Sequence, residues 1–402
     1  MTTTSPTIRD IRPAEFPWFR YDGYTFSLGL TDGENAWLSG HSASEHDPDS
    51  GRMVVRGGMA DQTRTAYAKI AAILEAADLS WQDVTKVTEN VTITGIEAYA
   101  EAEQVRRDTL GAHSPVVSTT IVDSLLRPAA LIEIEVHATR GGGTALQASS
   151  GAGWDRRGVR EGHDGEVLLP TILPVDERGE VVHQGDFVGQ YAYCLDKADR
   201  LLNGVGLSLD AAVSTYDFST PETREVYRKS HRVRKDRLGG AGVFPGAGGI
   251  LMSRLHTPEV LVAMEITANR LPLTGVNPGW SRYDTLTYTP GVRAGRTLYM
   301  SGFASLDMES QEVLHPGDVV AQAETTYGAI MEVLEAAGGG PENLTGSIEF
   351  VSREGLADYR GVAKVRERLL KAPYPASTGA ICGGLLRPEF LLEVFPSAVL
   401  DG

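Results

Sequence analysis

The chain has 402 residues, of which 42% are hydrophobic, a formal net charge of −16 and two cysteines. That length carries two or three domains. The acidic balance excludes nucleic acid, which needs clustered Lys and Arg, and two cysteines exclude a disulfide scaffold. No apolar run approaches the roughly 18 residues of a membrane span, and MTTTSPTIRD at the start has no signal-like core, so the sequence predicts a cytoplasmic protein without a membrane partner.

In chain order, WFRYD (18–22) comes first, followed by a strand-like AWLSG (36–40). DQTRTAYAKIAAILEAADL (61–79) spaces its apolar residues by three and four, which predicts an amphipathic helix. VTKVTENVTI (84–93) reads as a strand, a second helix contains Tyr99, Val105 and Arg106, and LIEIEVHA (131–138) closes the set. Residues 141–160, rich in Gly, Ser and Ala, read as a linker.

The same order then returns. GEVLLPTI (165–172), the helix 189–207, the strand AAVSTYDF (211–218) and VLVAMEITA (260–268) form a second unit. TLYMSG (297–302), the helix 321–339, TGSIEFVS (345–352) and FLLEVF (390–395) form a third. Gln62, Gln190 and Gln322 coincide at offsets of 128 and 260, and so do Leu74, Leu202 and Leu334. Tyr99, Tyr227 and Tyr359 coincide at the same offsets, as do Arg106, Arg234 and Arg366. Constant offsets through two helices mean an unbroken repeat. The expected organisation is unit 1 at 1–140, linker at 141–160, a divergent unit 2 at 161–270 and unit 3 at 271–402. WSRYD (280–284) repeats WFRYD, and both read as structural clamps, with Arg20, Asp22, Arg282 and Asp284 tying the opening strand to a neighbouring unit.

LSGHSA (38–43), MSGFAS (300–305), the Gly-Asp-Gln approach to the first helix (Gly317, Asp318, Gln322) and the closing IEIE (132–135) resemble the RidA (YjgF) family, in triplicate. The resemblance implies an α+β fold of three RidA-like (chorismate mutase-like) units forming a pseudo-threefold barrel with helices outside. It implies one trimer-like ring per chain, with further dimerisation left open. Chorismatase-like and cyanuric acid hydrolase-like proteins are similar in architecture. Family sites lie in clefts between units and take small carboxylated metabolites. No cofactor and no metal is expected.

The family's deaminases hold the substrate carboxylate with an arginine two residues after a proline. Here those positions are Val117, Ala247 and Ser377, so ordinary imine deamination is not expected. The family's catalytic glutamate maps onto Glu133 and Glu393, while the middle unit has Ala263 and keeps only Glu265. Arg127, Arg254 and Arg387, each just before a closing strand, are candidates to replace the lost arginine by a bidentate grip on a carboxylate. Tyr288, Ser39, Ser301, Ser377 and Thr378 are further substrate-binding candidates, and Cys382 is a candidate nucleophile beside Glu393 and Glu133. Unit 1 has Phe26 where unit 3 has Tyr288, and unit 2 has Pro170 where the others have Ser39 and Ser301, so unit 3's closing strand is expected to serve the best site. The reading is an enzyme performing hydrolysis, hydration or rearrangement with Glu as acid or base, a hydrolase or lyase. The alternative is a non-catalytic small-molecule-binding or scaffold protein.

Overall fold

A computed structural model describes residues 7–401; the first six residues of the N-terminal stretch considered above lie outside it. Each unit is built on the same three strands. In unit 1, Val84–Thr92 runs parallel to Val116–Val122 and antiparallel to the closing strand Ile132–Thr139. Ala212–Ser219, Gly246–Leu251 and Val262–Asn269 repeat this in unit 2. Leu344–Ser352, Ala376–Cys382 and Leu392–Val399 repeat it in unit 3. The parallel pair requires a crossover, and the second helix of each unit supplies it.

The predicted first helices form as Met59–Ala76, Phe187–Asn203 and Val319–Ala336. Asp186 and Asp318 cap the latter two by accepting backbone N–H groups. The recurrent glutamine has a plain role. Gln322 donates to Glu389 O (2.8 Å) and accepts from Leu391 N (2.7 Å), pinning the start of the closing strand to the helix, and Gln62 and Gln190 do the same in their units.

Alternation along the strands sorts side chains between two sides. Val87 and Val91 are buried with Ile70 and Ile73 of the first helix. Lys86, Thr88 and Asn90 point the other way, into a central cavity of about 170 Å³ that residues from all three units line. Glu135, Glu166 and Glu265 share that cavity, with Lys86 bridged to Glu265 at 2.9 Å.

The closed barrel expected from the resemblance is not what forms. The units contain three separate open sheets, of seven, seven and eight strands. Two seams carry a lent strand: Ser124–Leu125 of unit 1 pairs with unit 3, and Gly384–Leu385 of unit 3 pairs with unit 2. At the third seam Ser253 N bonds the Asp123 side chain (2.8 Å) rather than a strand edge, so no ladder continues from unit 2 into unit 1.

The Gly/Ser-rich stretch expected as a linker contains a β-hairpin, Thr144–Ala152 with Asp155–Glu161, on the edge of the second sheet. Unit 2's sheet ends at Asn269, and unit 3 opens with Leu273–Val276, which pairs with Gly291–Ala294 within the third sheet. Among the described residues, no helix is long and apolar enough to cross a membrane.

Candidate functional site

A cleft of about 680 Å³ opens between units 2 and 3. Unit 3 contributes Glu393, Arg387 and Tyr288, together with Arg282 and Tyr283. Unit 2 contributes Asp217, Tyr227, Arg234 and the small-residue wall Ala247–Gly249.

Glu393 is 7% exposed, on the closing strand opposite Ala304. Burial pushes its carboxyl up to about 8; the negative Asp217 adds to the rise, and a bond from the Gly249 backbone N–H opposes it. A Cβ on Gly302 would stand 2.5 Å from Glu393 Oε1, so only glycine lets the backbone pass this close to the carboxyl.

Asp217 differs from its counterparts. Units 1 and 3 have Glu89 and Glu349, each buried and paired with an arginine: Glu89 with Arg106 at 2.5 Å, Glu349 with Arg366 at 2.7 Å. In unit 2 the acid is one methylene shorter. Arg234 bonds Thr215 Oγ1 (2.7 Å), Tyr191 OH (3.2 Å) and, across the seam, Thr287 O (3.0 Å). Asp217 accepts instead from Tyr227 OH (2.8 Å) and Tyr191 OH (3.1 Å). Burial raises its carboxyl to about 6, against the hydrogen bond from Tyr227 and the charge of Arg234. One cleft thus holds two carboxyl groups whose environments set them apart, the arrangement that assigns an acid and a base.

Arg387 donates to Gln311 O (2.5 Å) and lies over the Phe390 ring, 5.9 Å from its centroid. Tyr288 is half-buried, accepts from Arg282 Nη2 (3.4 Å) and meets the Tyr283 ring edge-on at 5.5 Å. Burial holds the Tyr283 phenol well above its ordinary value, so it stays protonated.

Other candidates lie elsewhere. Ser301 is fully buried; its hydroxyl donates to Thr289 O (2.7 Å) and accepts from Ala247 N (3.0 Å), stapling units 2 and 3. Ser39 does the same between units 1 and 3, donating to Ser27 O (2.6 Å) and accepting from Ser377 N (2.8 Å). Thr378 accepts from Gly40 N (3.0 Å). Ser377 and Thr378 therefore belong to the seam with unit 1, away from the cleft that holds Glu393. Arg127 is exposed and Arg254 half-buried, and neither lines that cleft. Glu133 sits near Thr378: a Cβ on Gly40 would be 2.6 Å from Glu133 Oε1 and 2.7 Å from Thr378 Oγ1. Burial and Glu135 raise Glu133 to about 8, while Lys69 opposes them. Lys69 is itself tied to the carbonyls of Ser42 (2.6 Å) and Ser44 (2.5 Å); unit 3 has Ala329 at the matching position.

Cys382 is fully buried in the cluster shared by the units, with its thiol against Val351 O (3.5 Å) and pushed up to about 12 by burial. A protonated thiol away from the cleft is no nucleophile. Cys382→Ala should leave turnover within about twofold of the parent and cost on the order of 1 kcal/mol in urea unfolding; a loss of activity without loss of fold would return the thiol to the chemistry.

The hairpin packs into the seam between units 1 and 2 and borders a cavity of about 320 Å³ there, with Val117 and Pro170 among its walls. Trp154 stacks on Tyr99 at 4.3 Å, and Arg156 bonds Thr119 Oγ1 (2.7 Å), Tyr99 OH (2.6 Å) and Glu103 (2.7 Å). Unit 2 also offers Ala263 at the glutamate position.

Sequence reasoning missed Arg282, Tyr283 and Asp217. The WxRYD repeat does not clamp by ion pairs: Asp22 meets Arg12 (3.3 Å), Arg20 is exposed, and Arg282 turns into the cleft. The signals available were YRKSHRVRK (227–235), a basic concentration in an acidic chain, and Asp217 standing where the other units have glutamate.

Three open α+β sheets carrying helices, with a carboxyl pair in a cleft between two of them, define a protein of like units whose ligand space lies at their seams. The chain belongs to the family described as Endoribonuclease L-PSP, whose model matches residues 24–140 and 283–400, more than half its length, and so to the RidA/YjgF-like superfamily. It is 31% identical over 107 residues to 3-aminoacrylate deaminase RutC of Acinetobacter baylyi, a match covering 27% of this chain and 82% of that protein. A chorismatase crystal structure shares the fold across 79% of this chain and 93% of its own, with a TM-score of 0.53 and 15% identity. RidA from an Antarctic Psychrobacter is 27% identical over 29% of this chain and 90% of its own, with a TM-score of 0.27.

Proposed function

We propose that the chain is an enzyme that acts on a small carboxylated, imine-like or unsaturated metabolite in the cleft between units 2 and 3, as a hydrolase or lyase. The observation that carries this reading is the pairing of Glu393, neutral at pH 7, with Asp217, largely ionised at pH 7, in one cleft. In a hydration or hydrolysis, Glu393 gives its proton to the substrate atom that gains electron density. Water adds to the neighbouring carbon and loses a proton to Asp217, and proton exchange with solvent resets both groups. The protonated Tyr283 hydroxyl is a polar donor for the developing charge, and the Gly249 N–H stays on the Glu393 carboxylate left after proton transfer. The relative named for 3-aminoacrylate supports a small, unsaturated, carboxylated substrate class. Ala247 at the family arginine position argues against ordinary imine deamination and supports the second reading, a binder without chemistry.

The same reading takes 1–140, 161–270 and 271–402 as three units, the single-chain counterpart of a trimer. Incubation with a pool of small carboxylated metabolites, followed by mass spectrometry, tests the function. A compound consumed by the parent and spared by Glu393→Gln supports the enzyme. Compounds that bind and persist favour the binder.

A further inference from the structure

Arg282 is charged and unsatisfied. Among the described residues, its Nε and Nη1 are buried without a hydrogen-bond partner, and Nη2 reaches only Tyr288 OH at 3.4 Å. Burying charged donors unmatched costs a few kcal/mol, and a carboxylate at the Nη1–Nη2 edge would satisfy Nη1 and take over the weakly engaged Nη2 in two parallel bonds. The other deep cation, Arg234, is occupied by Thr215, Tyr191 and Thr287. The acids do not cancel Arg282: Asp217 is covered by two tyrosine hydroxyls, and Glu393 sits beyond, at Gly249. At the mouth, Arg228, Lys229 and His231 are exposed, and Arg387 stands opposite on unit 3. Unit 1 carries the same motif with Arg20 exposed to solvent, so the inward turn is particular to unit 3.

We propose that Arg282 takes the substrate carboxylate in place of the arginine absent at Ala247, and that the cationic mouth takes a second negative group, so that the cleft selects dianions over monoanions of like shape. This rests on the cleft being the ligand site, and it names the substrate class for it.

Benzoate and isophthalate differ by one carboxylate on the same ring, and calorimetric titration of both tests the proposal without turnover. Isophthalate should bind the parent at least about 10-fold more tightly than benzoate. Arg282→Gln should weaken both by about 10-fold or more, and Arg228→Gln with Lys229→Gln should weaken isophthalate alone. Arg282→Lys, which keeps the charge and loses the fork, should fall between, and it serves if the glutamine variant does not fold. Equal affinities for the two ligands, no binding of either at millimolar concentration, or no effect of both Arg282 substitutions would overturn the proposal. A metabolite turned over with no preference for dianions would sink this inference and leave the enzyme reading standing. Dianion selectivity with no compound ever consumed would do the reverse.

Discussion

Glu393→Gln should lower turnover by about 100-fold or more, with the fold unchanged. The amide keeps the shape and can still accept from the Gly249 N–H, but it has no proton to give at neutral pH. The parent's rate should fall as pH rises through about 8, where Glu393 ionises, and should fall again below about 6, where Asp217 takes up a proton. Asp217→Asn should lower the rate, remove the acid limb and, by removing the negative charge beside Glu393, move the alkaline limb to lower pH. Glu133→Gln should do much less, because Glu133 lies at a different seam, near Lys69 and Thr378. Steady-state rates from pH 5 to 9 for the three variants decide the matter. Equal losses for Glu133→Gln and Glu393→Gln would defeat the assignment of chemistry to one cleft.

The same substitution should stabilise the protein in alkali. In the folded chain Glu393 holds its proton up to about 8, against an ordinary 4.5. Between those values the folded state binds the proton more tightly than the unfolded state does. The stability of the parent therefore declines as pH rises from 4.5 to 8, and then levels off. Glutamine does not titrate and escapes that decline. Urea unfolding should find Glu393→Gln more stable than the parent at pH 9, by up to about 5 kcal/mol, and nearly equal at pH 4.5. A residue kept for its proton should show this opposition of lost rate and gained stability. A variant that is less stable at both pH values would mean that Glu393 holds the fold together.

The repeat was legible because it is written in residues with one structural duty each. Gln62, Gln190 and Gln322 recur because each closing strand needs the same two backbone bonds. Openness of the sheets was not legible. A lent two-residue strand at two seams does not merge the sheets, and at the third Ser253 bonds the Asp123 side chain instead, so closure depends on edge pairing that strand-like runs do not encode. The hairpin at 144–161 was hidden by composition, since its glycines supply the left-handed turn residues that a linker would also show, as at Gly153 (φ 60°). Glu393 and Tyr288 were candidates from the family pattern, and Arg387 from its place just before the closing strand. Ser301, Ser377 and Thr378 could not be placed, because a cleft draws its walls from two units and a serine that recurs at a seam serves equally well as a staple. Arg282 was obscured by its own repetition, which invited one reading for two copies that the structure sets in different surroundings.

The chain passes from unit 2 to unit 3 in a few residues, between Asn269, which ends a strand of the second sheet, and Leu273, which begins a strand of the third. Both walls of the cleft are therefore on one covalent tether a few tens of residues long. The second wall is present at an effective concentration that short tethers set in the millimolar range, whatever the concentration of chains in solution. Where separate subunits would drift apart on dilution and take their shared sites with them, this cleft should persist. Rate should remain proportional to enzyme from micromolar to nanomolar chain, with no lag on dilution and no gain from crowding the chains together.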